Sequence, residues 1–249
     1  MNLKVATWNL SCGMDINREL APGDYFYDAI KFHDLDILFL QEVIIRTIHS
    51  AVTAEKISRN TELKYFLEHE LSPSHKLSES FMGIAILSKY PLKQYDFLKL
   101  PNPGFKIEKN GRVYEAHEKG FMFACIEEFD LLLGVGHCPS FNFFDVDDRK
   151  YKELIYRPVE EKMMELLEKE KRIIIGGDFN TKHITAVMPQ ANKSYKQLIH
   201  GETRPRLLFP ANVQSDYIFI SDKLVSLKTS IIEGIIDHYI CIAEVTGKE

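Results

Sequence analysis

The sequence predicts a mixed α/β (α+β) fold in which two β-sheets pack face to face with helices outside. Three observations carry that expectation. Several apolar runs of strand length lack polar alternation, as strands buried on both faces do. Some of these runs are separated only by short turn-forming segments, which predicts hairpins and hence antiparallel or mixed sheets. Between others lie amphipathic stretches of helical spacing, the longest being Glu153 to Arg172. With 249 residues and 45% hydrophobic side chains, the chain can bury a sizeable core as a single domain covering residues 1–249. No internal repeat or linker-like run divides it.

Taken in order, Leu3 to Leu10 reads as a strand because Val5, Thr7 and Trp8 favour extended backbone, and it ends at Asn9 before Ser11-Cys12-Gly13. Pro22-Gly23-Asp24 offers a helix start, and Leu35 to Glu42 is a second buried-type strand. Ser50 to Asn60 has helical spacing, Leu63 to Leu71 leans to strand, and Phe81 to Ser88 is a strand closed by Lys89-Tyr90-Pro91. Pro101 to Arg112 reads as an exposed loop. Phe121 to Glu127 and Leu131 to His137 read as a hairpin, and Phe141 to Asp148 as an aromatic and acidic loop. Pro158 sits near the start of the amphipathic helix, which leads into the Ile173 strand. A short helix is expected near Ser194 to Ile199. Ser215 to Ile220 is expected as a strand with Lys223 to Ile232 as its hairpin partner, and Tyr239 to Val245 is the last strand.

The most informative stretch is Ile173-Ile174-Ile175-Gly176-Gly177-Asp178-Phe179-Asn180. A buried strand ends there in two glycines, which let the backbone turn, then a carboxylate and a carboxamide that can face one ligand. Alone, the run fits equally a turn in which Asp178 and Asn180 bond their own backbone. Yet polar residues recur at predicted strand ends: Asn9, Glu42, His137, Asp178, Asn180, Asp216, Asp237 and His238. Gathered at one edge, these oxygen-rich groups would suit Mg²⁺ or Mn²⁺ and a phosphoester whose growing charge the cation stabilises.

Composition narrows the partners. A net charge of -5 argues against gripping nucleic acid through a broadly basic surface, although one groove with Arg204, Arg206 or Lys106 could hold a few phosphates. Cys12, Cys125, Cys138 and Cys241 show no Cys-x-x-Cys spacing, so neither structural zinc nor a disulfide framework is expected. No apolar run is long enough to span a bilayer, and Met1-Asn2-Leu3-Lys4 passes directly into a strand with no room for a signal peptide, so a cytoplasmic location is expected. No Gly-x-x-x-x-Gly-Lys-Ser/Thr occurs, which removes a P-loop nucleotidase.

The ordered set Thr7-Trp8-Asn9, Leu40-Gln41-Glu42, Gly83 to Pro91, Gly177-Asp178-Phe179-Asn180, Ser215 to Phe219 and Asp237-His238 resembles the endonuclease/exonuclease/phosphatase superfamily from about Leu3 to Val245. That resemblance implies a DNase I-like four-layered sandwich of two mixed β-sheets flanked by helices. It also implies a Mg²⁺- or Mn²⁺-dependent phosphodiesterase or nuclease in which water attacks directly. Glu42 would be the principal metal ligand, with Asn9 and Asp237 near the metal or its waters. Asp178 would activate water, Asn180 would help hold phosphate or water, and His238 would contact the scissile phosphate with Asp216 fixing its tautomer. His137 would bind phosphate or assist the leaving group.

Two departures stand out: Gly134-Val135-Gly136-His137-Cys138-Pro139 replaces the usual Asn-Thr-His-Leu, and Ile236 replaces the serine before Asp237-His238. A histidine at position 137, where abasic-site endonucleases carry a Tyr-x-Pro-Asn type segment, points to the nuclease, lipase and phosphatase branches and to an imidazolium role, the alternative being a histidine that merely closes the strand. The other readings are an abasic-site DNA repair endonuclease, a lipid or inositol phosphate phosphoesterase, and an inactive binding module of the same fold. The last would have lost Glu42, Asp178 or His238, and all three are present.

Overall fold

The computed structural model describes residues 1–109, 111–169, 171–205 and 213–248, and in it two six-stranded sheets are stacked between layers of helix. The chain forms β1 (Asn2–Asn9), β2 (Ile37–Arg46), β3 (Tyr65–Pro73) and β4 (Phe81–Ser88) in the first sheet, then β5 (Lys93–Lys99) at the edge of the second. A separate hairpin, β6 (Lys106–Lys109) and β7 (Arg112–Glu115), precedes β8 (Gly120–Ile126), β9 (Leu131–His137), β10 (Arg172–Asp178), β11 (Lys196–Gln197) and β12 (Asp216–Ile220), which complete the second sheet. The chain then returns to the first sheet as β13 (Leu224–Ile232) and β14 (Ile240–Gly247). The strand orders are β13-β14-β1-β2-β4-β3 and β11-β12-β10-β9-β8-β5. Each sheet contains one parallel pair, β1 with β2 and β9 with β10, so both are mixed.

The missing polar alternation has a direct cause: both faces of the central strands are covered. In β1, Val5 packs between the sheets while Ala6 and Trp8 pack outward with Phe26 and Ile30 of α1 (Gly23–His33) and Ile57 of α2 (Ala54–Asn60). In β10, Ile174 joins the core between the sheets, and Ile173 and Ile175 pack outward with Val159, Met163 and Leu166 of α3 (Arg157–Leu167). The short helices α4 (Ile184–Val187) and α5 (Pro189–Ser194) contribute Ile184 and Ala191 to that same outer layer. The four layers match the expected DNase I-like sandwich.

Several local expectations are corrected. Gly176 and Gly177 do not turn the chain. They lie within β10, where a Cβ would come within 2.5 Å of Phe39 Cδ2 at Gly176 and within 2.2 Å of the Gly136 carbonyl oxygen at Gly177, so their use is close approach of neighbouring backbone and sheet. Lys223 to Ile232 does not pair with the Ser215 to Ile220 strand: both sides of β12 are filled by β10 and β11, and β13 crosses to pair with β14, burying Leu224 beside Val245 between the sheets. The helix expected near Ser194 to Ile199 ends at Ser194, because Lys196 and Gln197 extend to pair with β12. The loop from Pro101 to Arg112 contains the start of the β6–β7 hairpin. The long amphipathic stretch opens with a π-helical turn at Lys152–Tyr156 before α3 begins.

Candidate functional site

Topology gathers the strand-end residues. β1, β9 and β10 end at Asn9, His137 and Asp178, while the antiparallel β12 and β14 begin beside those ends, bringing Asp216 opposite Asp178 and placing Asp237-His238 just before β14. Glu42 lies at a bulge in β2, where the register against β4 shifts between Gln41 and Val43, and its φ is 47°. A glutamate held in the left-handed region costs about 1–3 kcal/mol, which the surrounding β-structure must offset. Asn180 has φ 49°, a conformation asparagine tolerates more readily.

One side of the site is a chain of satisfied hydrogen bonds. His238 Nδ1 lies 3.0 Å from Asp216 Oδ2, whose other partners are the Thr203 hydroxyl at 2.6 Å and the Ser215 hydroxyl at 2.9 Å. His238 Nε2 then points toward Asp178, 3.7 Å from Oδ2. Asn9 Nδ2 donates to that same Asp178 oxygen at 3.0 Å, and Asp178 Oδ1 accepts from the Asn180 backbone N–H at 2.9 Å. The Asn9 carboxamide oxygen is taken by the Ser11 N–H at 2.9 Å. Asn9 therefore ties β1 to the Asp178 carboxylate. The Asn180 side-chain amide is likewise anchored, donating to the Cys138 carbonyl at 2.9 Å.

Burial decides the charges here. Loss of water, then repulsion from Asp216, pushes the Asp178 carboxyl up to about 6. Burial and Arg204 oppose a charge on His238, but Asp216 and Asp178 outweigh them and raise its pKa. The Asp216–His238 arrangement thus favours imidazolium.

The other side of the site is ionic. Lys76, from the loop after β3, places its ammonium 3.6 Å from Glu42 Oε2 and 3.7 Å from Asp237 Oδ2 and donates to the Ser11 hydroxyl. Arg204 Nη2 lies 3.3 Å from Asp237 Oδ2. Burial would raise both acids, yet Lys76 holds Glu42 well below the usual carboxylate range, and Lys76, His238 and Arg204 hold Asp237 at about 2. The contributions of His75 and His137 to Glu42 vanish at neutral pH, because both rings are themselves held neutral by burial. Lys76 and Lys119 carry the effect.

His137 departs most from expectation. It is buried, and Lys119 Nζ lies 3.0 Å from each of its ring nitrogens. Equal distances to both nitrogens set the ammonium off the in-plane lone pair of either, and Nε2 also lies 3.6 Å from Asp178 Oδ2 and 3.9 Å from Glu42 Oε1. Burial and then Lys119 push its pKa well below 6.5, which opposes the imidazolium role expected from the sequence.

The remaining expectations sort quickly. Ile236 is fully buried in the outer core of the first sheet, and hydroxyls from Thr203 and Ser215 serve Asp216 instead of a residue at 236. Cys138 is buried with its thiol pushed well above 9.0, so no thiolate nucleophile is available. All four cysteines are free. Arg204 enters the site, Lys106 is exposed and paired with Glu115 at 2.6 Å on the separate hairpin, and Arg206 lies outside the described residues. A hollow of about 480 Å³ lined by residues including Lys193, Tyr195, Ser221 and Lys248 contains none of the site residues and has no part in this chemistry. Sequence reading missed Lys76, Lys119 and Thr203. Only Lys119 carried a signal, a lysine immediately preceding a buried strand.

The residues fit a hard cation. Among the described residues Asp237 Oδ1 is buried with no hydrogen-bond partner, and the Lys76 ammonium already shows that a positive charge is stable between Asp237 and Glu42. Asp178, Asp216 and His238 also offer ligand atoms within 4.8 Å of one another. Those atoms are largely engaged with each other and with Thr203, Ser215 and Asn9, so the Glu42–Asp237 side is the better cation seat.

Groups able to deprotonate water and buried cations able to hold a negative centre, set side by side, suit displacement at phosphorus. Fold and site together define a protein of the DNase I-like phosphoesterase class. The chain belongs to the Endonuclease/Exonuclease/phosphatase family, whose profile matches residues 6–234; its members are generally hydrolases acting on phosphoester bonds. Among solved structures it is similar to an endonuclease/exonuclease/phosphatase from Beutenbergia cavernae (TM-score 0.76, 13% identity, 99% of this chain and 72% of that one). It is also similar to the human Nocturnin catalytic domain with bound sulfate (TM-score 0.68, 13% identity, 99% and 95%) and to D. rerio TDP2 complexed with single strand DNA product (TM-score 0.62, 14% identity, 98% and 99%). A search of curated proteins finds no match. Among the described residues no helix is long and apolar enough to cross a membrane.

Proposed function

We propose that this chain is a Mg²⁺- or Mn²⁺-dependent phosphodiesterase, with nuclease activity as its leading form, that hydrolyses its substrate by direct attack of water. The observation that carries the reading is the Asp216–His238 pair aimed at a buried Asp178 beside the cation seat of Glu42 and Asp237. Asp178, in its ionised form, takes the proton of the attacking water, and Asn9 and the Asn180 N–H hold its carboxylate in place. His238, kept protonated by Asp216, donates to a phosphate oxygen. Held by Glu42 and Asp237, a hard divalent cation would polarise a phosphoryl oxygen and stabilise charge developing there.

A nucleic acid is among the substrates this allows, and the single-strand DNA in the TDP2 structure supports including it. Abasic DNA and lipid or inositol phosphates are the competing substrates. The unpaired cysteines agree with action in a reducing, cytoplasmic setting. The test is one screen of plasmid DNA, abasic duplex, single-stranded RNA, a phosphoinositide, sphingomyelin and a small diester, with each metal and with excess chelator. Chelator-sensitive cleavage of a diester is the expected result. Undiminished hydrolysis in chelator would remove the metal from the mechanism, and incision of abasic duplex far above every other substrate would replace the substrate assignment.

A further inference from the structure

Lys119 is a buried cation without a counter-charge in contact. It is 7% exposed and stands immediately before β8, where the pairing of Gly120 with His137 places it at the strand ends that form the site. An ammonium has three protons to donate and no lone pair with which to accept. His137 is the only side-chain partner of Nζ among the described residues, at 3.0 Å from each ring nitrogen, and no carboxylate forms an ion pair with it. Lys76 and Arg204 differ, since both touch Asp237. A charge removed from water and left with unused donors is strongly unfavourable unless an anion completes it.

The geometry points to Lys119 as the fixed cation that receives a non-bridging oxygen of the substrate phosphate, the task the sequence gave to His137. His137 becomes its positioning residue: the buried ring packs against the ammonium, 3.0 Å from each ring nitrogen, and fixes Nζ at the strand ends. Glu42 and Asp178 lie close enough to favour the ammonium while burial lowers its pKa. A lysine suits this use because a compact point charge meets a phosphate oxygen without the planar match an arginine needs. The assignment rests on the phosphoesterase reading.

The test uses the full chain, first with inorganic phosphate in excess chelator, read by calorimetry. Wild type is expected to bind phosphate, Lys119→Met to bind about tenfold or more weakly, and Lys119→Arg to retain most of the affinity, since one charge-assisted hydrogen bond is at stake. Replacing a buried charge by an apolar isostere is often neutral or stabilising, so Lys119→Met is expected to melt at or above the wild-type temperature. Lys119→Gln, which keeps a donor and removes the charge, is the second variant and is expected to bind as weakly as Lys119→Met. His137→Ala, which removes the ring that fixes Nζ and keeps the charge, is expected to lose part of the phosphate affinity, and His137→Gln to recover part of that loss. In hydrolysis of bis(p-nitrophenyl) phosphate with Mn²⁺, both uncharged Lys119 variants are expected to lose about 10² in kcat/KM. A folded uncharged variant that binds phosphate and hydrolyses the diester as wild type does would overturn the assignment. Wild type that hydrolyses no phosphodiester would overturn the phosphoesterase reading itself.

Discussion

The two sides of the site are built on opposite principles. Around Asp178, Asp216 and His238 the carboxylates and the ring are oriented by neighbours that come from the sheets or flank them: Asn9, Thr203, Ser215 and the Asn180 N–H. Around Glu42 and Asp237 the backbone is in a costly conformation at Glu42, one carboxylate oxygen has no partner, and the balancing charge is a lysine carried in on a loop, its side chain 27% exposed. The first side is organised before any ligand arrives. The second is balanced by a charge that a different cation can replace. The proposed mechanism, which keeps its base and phosphate donor fixed while an ion enters, calls for both kinds of construction.

The comparison breaks first at the fixed side. Asp178→Asn keeps the shape and removes the base, so kcat is expected to fall on the order of 10² to 10⁴ with KM nearly unchanged. His238→Ala is expected to fall as far. Near-normal turnover of Asp178→Asn in steady-state assays would mean that the ordered side is merely structural.

At the ionic side, Glu42→Ala is expected to weaken Mn²⁺ binding sharply, measured by calorimetry on the full chain. Lys76→Met is expected to act in the opposite direction, tightening Mn²⁺ by about tenfold because no ammonium has to be displaced, and to lower the melting temperature only in chelator. Equal Mn²⁺ affinity in Lys76→Met and wild type would show that the lysine and the ion do not share the seat.

A smaller effect tests the support of the fixed side. Thr203→Val removes a hydroxyl that donates to Asp216 and accepts from the Ser215 and Asp216 N–H groups, and is expected to cost about 1–3 kcal/mol of stability by denaturant unfolding, leaving Mn²⁺ binding unchanged.

The pH dependence separates function from stability. Asp178 must be ionised to act, so kcat/KM is expected to rise as pH rises through about 6. Its folded pKa is raised above 3.8, so its contribution to stability is fully present below about 3.8 and lost as pH rises through about 6. In chelator, melting temperatures of wild type and Asp178→Asn are expected to differ by an amount that changes across that window and is flat above it. A constant difference from pH 4 to about 8 would show that burial does not perturb this carboxyl.

Much of this was legible in the chain. Apolar runs such as Ile173 to Ile175 specify strands covered on both faces, and the order of Asn9, Glu42, Asp178, Asp216 and Asp237-His238 along it identified the strand ends that converge. These are local properties, set by periodicity and by the residue that terminates each strand. Partner choice was not local. β13 follows β12 after a short turn, yet crosses to the other sheet because both sides of β12 are occupied, and no pattern within Lys223 to Ile232 records that. Lys76 sits in unremarkable surroundings in the sequence and Lys119 is marked only by the buried strand that follows it; both become part of the site only where the loop after β3 and the start of β8 bring them to Glu42 and His137. The sequence by itself determined which side chains could do phosphoester chemistry and where the strands end. Tertiary structure alone decided their charge states, because the neutrality of His137, the ionisation of Glu42 and the raised Asp178 all follow from how much water each loses and which charge stands beside it.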